Sequence, residues 1–218
     1  MGEARGRSAA GTHWSVFDPS TQHGDIDKKI VASLERISQV FRVLLRGEAQ
    51  ERDLSPIQAQ FLVYLLHHRA ALRRVSQLAR EFDLTRATVS DAVGSLEKKG
   101  LIRRASWPDD KRVTTLRLTP TGEHTARELA AWANVVDEHL KGCSSQEKEA
   151  VMRFLMGLIG SLQKSGLITV ARMCITCRFF RPDAHPGGNS PHHCALLDVP
   201  LSGSDLRADC PEHELAAS

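Results

Sequence analysis

Aromatic side chains are scarce in this chain of 218 residues, with one Tyr, three Trp and seven Phe. That scarcity disfavours a reader of single-stranded RNA, which stacks bases on aromatic rings. Long apolar runs are missing too, since none approaches the roughly 20 residues of a membrane span. Residues 1–20 hold no apolar stretch, so no signal peptide is visible and the cytoplasm is the expected compartment. The chain has no Gly-x-Gly-x-x-Gly, no phosphate loop and no nucleophile elbow. The adjacent carboxylates Asp109 and Asp110 fall at an expected hairpin tip and not in a cleft, so no catalytic role is expected. What is present is ordinary globular material, 41% apolar and 25% charged, enough for a core. The net charge of +3 is mildly basic and by itself decides nothing about partners.

Residues 1–24 carry Gly, Ser, Thr and Pro without periodicity and are expected to form a flexible tail. Ile26, Ile30, Leu34, Ile37, Phe41 and Leu44 then recur at steps of three and four, one apolar stripe on a long helix over about 25–48. Ser55, Pro56 and Gln58 read as N-cap, first helical residue and capping-box partner of a second helix ending near His68. His67 and His68 read as caps at its C-terminus. Val75, Leu78, Ala79 and Phe82 mark a short helix, and Asp83-Leu84-Thr85 a tight connection. Val89, Val93 and Leu96 mark the next helix, which Thr85 caps and Gly100 closes. Residues 101–106 and 113–118 alternate like two strands around a tip at Trp107-Pro108-Asp109-Asp110. Thr119 and Pro120 open a helix expected to run to about Leu140, with Leu129, Trp132, Val136 and Leu140 along one side. Ser144 and Glu147 form the capping box of a final helix carrying Val151, Leu155, Leu158 and Leu162. Beyond Gly166 the composition turns to Cys, Pro, Gly, His and Asp. The expected organisation is a tail at 1–24, a domain at 25–166 and a small Cys-rich metal-binding module at 167–218. The expected fold is mainly α with a small β-hairpin wing, in the order of a winged helix-turn-helix.

A helix that enters the major groove reads base edges with short polar or basic side chains near its N-terminus. Thr85, Arg86, Thr88, Ser90, Asp91 and Ser95 lie away from the Val89, Val93 and Leu96 stripe and are the candidate readers. Charge is concentrated in the same place. From Arg73 to Thr119 there are eleven Lys or Arg against six Asp or Glu, a net +5, which leaves −2 for the remainder. A basic segment of this kind is where phosphate contacts would be made.

Residues 25–165 resemble the MarR family of transcriptional regulators. The resemblance rests on Leu54-Ser55-Pro56-Ile57-Gln58, Leu78-Ala79, the stretch from Thr85 to Leu96, Gly100-Leu101-Ile102, and the run from Asp109 to Thr119. Within that run the Asp-x-Arg element followed by Leu-Thr maps to Asp110, Arg112, Leu118 and Thr119. The resemblance implies that Lys111 and Arg112 sit at the wing tip, with Arg112 in the minor groove and Asp110 orienting it. An Arg suits a narrow minor groove electrostatically. The resemblance also implies a homodimer made by the first and last helices, double-stranded DNA as partner, a roughly palindromic operator, and a small aromatic acid as a possible effector. The amphipathic stripes on the two end helices agree with a dimer, because each exceeds what a small winged helix covers.

Four of the five cysteines, Cys174, Cys177, Cys194 and Cys210, fall in the last fifth of the chain, and Cys143 stands alone in an expected loop. A cytoplasmic protein rarely uses such cysteines for structural disulfides, so the cluster reads as a metal site. Cys174-Ile175-Thr176-Cys177-Arg178-Phe179 and Cys194-Ala195-Leu196 resemble the cluster-binding sequences of high-potential iron–sulfur proteins. Those proteins surround the cluster with several aromatics, and this tail has only Phe179 and Phe180. The resemblance implies a [4Fe–4S] cluster on the four thiolates. A structural Zn²⁺ is the alternative, with His193 or His213 open as mixed ligands. His185 and His192 read as loop side chains. The expected protein is therefore a dimeric DNA-binding regulator, a repressor in the first reading, modulated by a cluster. A regulator with structural zinc and a small aromatic effector is the second expectation. An electron-transfer or redox subunit, with the winged helix as a docking platform, is the reading from another class, and the basic segment argues against it.

Overall fold

The structure, a computed structural model, describes residues 15–107 and 110–216. Trp14, Pro108 and Asp109 lie outside the described residues. Phe17, at the start of the described chain, is exposed. Helix α1 (Ile26–Gln50) starts where the Asp25 carboxylate accepts the N–H groups of Asp27 and Lys28. Helix α2 (Pro56–His67) starts with Pro at its first position and a reciprocal Ser55–Gln58 capping box. Helices α3 (Val75–Glu81) and α4 (Arg86–Lys98) flank the tight turn, and the Thr85 hydroxyl accepts the Thr88 N–H to cap α4. Gly100 ends α4 at φ +69°, a left-handed conformation that glycine adopts without steric cost. Strands β1 (Ile102–Ser106) and β2 (Thr114–Leu118) pair antiparallel, from Ile102 opposite Leu118 to Ser106 opposite Thr114.

The core sits around α2. Phe61, Leu62 and Leu65 are fully buried among Leu78, Val89, Val93, Leu96, Leu116 and Leu129. The main chain also joins the wing to the helix-turn-helix, because the Leu116 N–H donates to Arg73 O at 2.7 Å. The long helix expected over 120–140 is two helices, α5 (Pro120–Leu129) and α6 (Asn134–Leu140). Between them Ala131, Trp132 and Asn134 donate their N–H groups three residues back, to Glu128, Leu129 and Ala131, which tightens the chain out of α geometry. The turn brings Trp132 edge-on against Phe41 of α1, with centroids 5.6 Å apart. The apolar spacing continues through the break, so it did not announce the interruption that accompanies the Trp132 contact with Phe41.

Helix α7 (Ser145–Lys164) begins at the Ser144–Glu147 capping box. It packs on the Cys-rich segment through a second, small core of Met156, Ala171 and Met173. That segment contains three short strands that spacing did not announce: β3 (Phe180–Arg181), β4 (His192–Cys194) and β5 (Val199–Leu201), antiparallel in the order β3-β4-β5.

The α5 helix rests on the turn after α4. Thr119 Oγ1 donates to Gly100 O at 2.7 Å, and a Cβ on Gly122 would stand 1.7 Å from Leu101 O. Main chain blocks main chain there, so no side-chain rotation relieves it. Gly122→Ala is expected to lower the free energy of unfolding by about 3 kcal/mol, at the upper end of overpacking costs. A urea titration reads this, and an unchanged midpoint would contradict the close approach.

Candidate functional sites: a basic groove and a four-cysteine cavity

The first site is a groove between α4 and the wing, lined by Arg74, Arg86, Ser90, Arg104, Val113 and Thr114, among others. Of the side chains singled out in sequence, Arg86 and Ser90 face this groove. Thr85 and Thr88 are engaged with each other, their hydroxyls 2.9 Å apart, at the start of α4. Asp91 is exposed and Ser95 half-buried, and neither belongs to the groove lining. Lys111 is exposed on the wing. Arg112 projects from it with its side chain 92% exposed. Asp110 holds Arg112 in two ways, accepting its backbone N–H at 3.0 Å and its Nε at 3.1 Å. The Arg112 side-chain bond, with the backbone bond behind it, keeps the Asp110 carboxyl below its ordinary pKa.

Arg74 was not singled out in sequence except as one charge among eleven. It precedes α3, and its guanidinium lies 5.4 Å from the centre of the Trp107 ring, just beyond β1 at the turn end of the hairpin. No hydrogen-bond partner for its buried Nε is found among the described residues. The only sequence sign was its place in the Arg73-Arg74 pair.

The second site is built by the Cys-rich segment. Cys174–Thr176 form a 3-10 turn, in which residues three apart eclipse, so Cys174 and Cys177 face one side. Cys194 ends β4, opposite Phe180 of β3 and Val199 of β5. The main chain draws Cys210 in, its N–H donating to Arg172 O at 2.8 Å. All four cysteines line one cavity with Phe179, Phe180, Leu196, Leu197, Leu201 and Glu212, whose carboxylate lies 3.4 Å from Arg69. The Arg207 N–H donates to Cys174 Sγ at 3.2 Å, and its guanidinium lies 3.9 Å from Cys210 Sγ. Burial raises the Cys174 thiol above its ordinary pKa.

The histidines do not line this cavity. His213 Nε2 lies 2.9 Å from Thr176 Oγ1, and burial lowers its pKa. His193 lies between His185, at 3.2 Å, and Asp198, at 3.3 Å. His192 packs against Phe180. Cys143 is exposed in the turn between α6 and α7. Among the described residues, no three His, Cys, Asp or Glu side chains are grouped so as to hold a single metal ion. The donors at this cavity are thus four thiols and the Glu212 carboxylate under a mainly apolar cover.

A third cavity of about 510 Å³ lies beside α2, lined by Leu65, Leu66, Ala70, Arg73, Arg117, Leu118 and Glu123. Burial and the neighbouring Arg117 lower the pKa of Arg73.

Residues 52–113 match the MarR family. Two Bacillus subtilis proteins are similar over longer stretches. One, described as the uncharacterized HTH-type transcriptional regulator YhbI, is 27% identical over 144 residues, 63% of this chain and 90% of its own length. The other, the uncharacterized HTH-type transcriptional regulator YdgJ, is 28% identical over 113 residues, 51% of this chain and 59% of its own. Among solved structures, Staphylococcus aureus MepR in its DNA-binding conformation shares the fold at a TM-score of 0.55 and 24% identity, over 62% of this chain and 98% of MepR. MepR in a DNA complex does so at 0.53 and 24%, over 61% of this chain and 96% of that one. No helix among the described residues is long and apolar enough to cross a membrane. The family match runs from α2 through the helix-turn-helix and β1, and in that stretch this chain is similar to MarR-family transcriptional regulators, whose winged-helix fold it shares.

Proposed function

We propose that this protein is a homodimeric repressor that binds a pseudo-palindromic operator and whose activity is modulated by a [4Fe–4S] cluster on Cys174, Cys177, Cys194 and Cys210. The observation that carries the reading is the convergence of four thiols on one apolar cavity in the same chain as a basic groove. Arg86 and Ser90 are suited to base edges, Arg74 and Arg104 to phosphates, and Arg112 to the minor groove. Two such heads on a dimer would meet successive half-sites. Ile37, Val40 and Val43 on α1 and Val151 and Phe154 on α7 are exposed, and a second copy would bury them.

Four thiolates are the ordinary ligand set of a [4Fe–4S] cluster, and the phenylalanines and leucines that line the cavity suit its cover. Stability argues in the same direction. In the segment from 167 onward only Ala171, Met173 and Thr176 are buried among the described residues. So small a core holds a segment of about fifty residues poorly without a staple. A cluster at this site would supply that staple, together with sensitivity to oxidants and iron supply. Arg207 would donate to the ligating sulfurs, and Phe179, Phe180 and the leucines would exclude water.

A second reading has one observation of its own. Arg73 and Arg117 stand together beside Leu65, Leu66 and Leu118. A small aromatic acid would relieve their repulsion and cover the leucines, and the four cysteines would then hold structural zinc.

Two experiments test these readings. Wild type purified without oxygen is expected to be brown with about four irons and matching sulfide per chain, and Cys177→Ser is expected to lose both. A colourless protein with one zinc would overturn the cluster and favour the second reading. For DNA, Arg74→Ala and Arg112→Ala are each expected to weaken binding to a duplex selected from a randomised pool by about tenfold or more. If Arg74 meets a phosphate, its loss also lowers the slope of log affinity against log salt by about one. Arg127→Ala, on α5 away from the groove, is the control. Unchanged anisotropy titrations for both groove and wing variants would contradict the assignment.

A further inference from the structure

Arg172 lies where the Cys-rich segment meets the helix-turn-helix. Its carbonyl accepts the Cys210 N–H at 2.8 Å, so its main chain is tied to one of the four cysteines. Its side chain, only 11% exposed, reaches the other way. Nη1 and Nη2 grip the two carboxylate oxygens of Glu81, the last residue of α3, at 2.5 and 3.0 Å. Nε donates to Asp209 at 2.7 Å, and Nη2 lies 2.9 Å from His68 Nε2. His68 closes the ring, 3.2 Å from Asp209 and stacked on Tyr64 at 3.8 Å. The bond to His68 and the Arg172 guanidinium hold the Asp209 carboxyl well below its usual range, against its burial. Burial pushes the Tyr64 hydroxyl up to about 12, with Glu81 adding to it. Thr169 bonds to Asp83 in the turn between α3 and α4, a second tie to the same end of α3.

We propose that Arg172 is the positioning residue that carries the state of the four-cysteine site to the DNA-reading helix. The proposal rests on the cluster reading above. A paired guanidinium and carboxylate form a directional bond, and a partner left alone in a half-buried site is costly. Ligation at Cys174 and Cys210 sets the main-chain path on either side of Arg172, between Thr169 and Thr176. When that path changes, Arg172 either carries Glu81 with it or loses it. Glu81 is followed by a tight turn in which the Leu84 N–H donates to Ala79 O and Asp83 has φ 48°. A turn so short passes a shift at the end of α3 to the start of α4, where Arg86 and Ser90 sit. The sites are thereby coupled through a named contact and not through distance alone.

The test uses the full chain, a duplex selected from a randomised pool by the iron-loaded protein, and hydrogen exchange of residues 75–98. Removing iron from wild type with a chelator is expected to change DNA affinity by roughly tenfold and to alter exchange in α3 and α4. Glu81→Gln keeps the shape and removes the charge. It is expected to keep the iron content and visible spectrum while the ratio of loaded to apo affinity falls to within about twofold. Asp209→Asn cuts the same chain from the other side and serves if Glu81→Gln does not fold. A merely structural contact would weaken loaded and apo forms alike and leave the ratio intact. Either folded variant retaining the wild-type ratio and exchange difference would overturn the proposal. A wild type without iron overturns the cluster reading and this trigger together, and absorption reveals that before any DNA is added.

Discussion

Burial of α2 is the constraint on which the rest of the winged helix depends. Phe61, Leu62 and Leu65 are inaccessible to water, and each such burial is worth about 1.5–3 kcal/mol. The walls that bury them come from α3, α4, β2 and α5. Helix α4 is therefore held by its inner face, through Val89, Val93 and Leu96, and its outer face stays free for polar side chains. Stability of the fold is carried by the inner side of this helix, and the DNA contacts proposed above lie on the outer side. This separation allows the outer side to vary without loss of the core.

The Cys-rich segment is organised differently. Its own core is small, and short strands, a 3-10 turn and hydrogen bonds to sulfur take up much of its structure. Such a segment has little stability to spare, and a group bound at the cysteines, as proposed above, would add to it. It is also joined to the winged helix by ionic contacts: Arg172 with Glu81, Arg69 with Glu212, and His68 with Asp209. Ionic joints depend on geometry more sharply than apolar ones, so they are the natural place for a change of state to be felt.

Much of the fold was legible because its signals are local. The Ser55–Gln58 and Ser144–Glu147 capping boxes, Thr85, Gly100 and the Pro residues mark helix ends within four residues of themselves. The long helix through 130–133 was misread for the complementary reason. Its apolar spacing continues across the break, and only the packing of Trp132 on Phe41, far away in sequence, reveals why the chain turns. Arg74 escaped notice likewise, since its meaning comes from Trp107 across the wing.

At the second site the division is similar. Sequence alone determined which four cysteines stand apart, that Cys174 and Cys177 are a pair, and that positive charge gathers around the helix-turn-helix. These follow from residue type and short spacing. Only the tertiary structure decided that Cys194 and Cys210 join that pair in one cavity, that His193 and His213 turn to other partners, and that Arg172 reaches Glu81 across 91 residues of chain. The physical reason is that these contacts are made by main-chain paths and cores that bring distant segments together, and no periodicity in a sequence records where a loop returns.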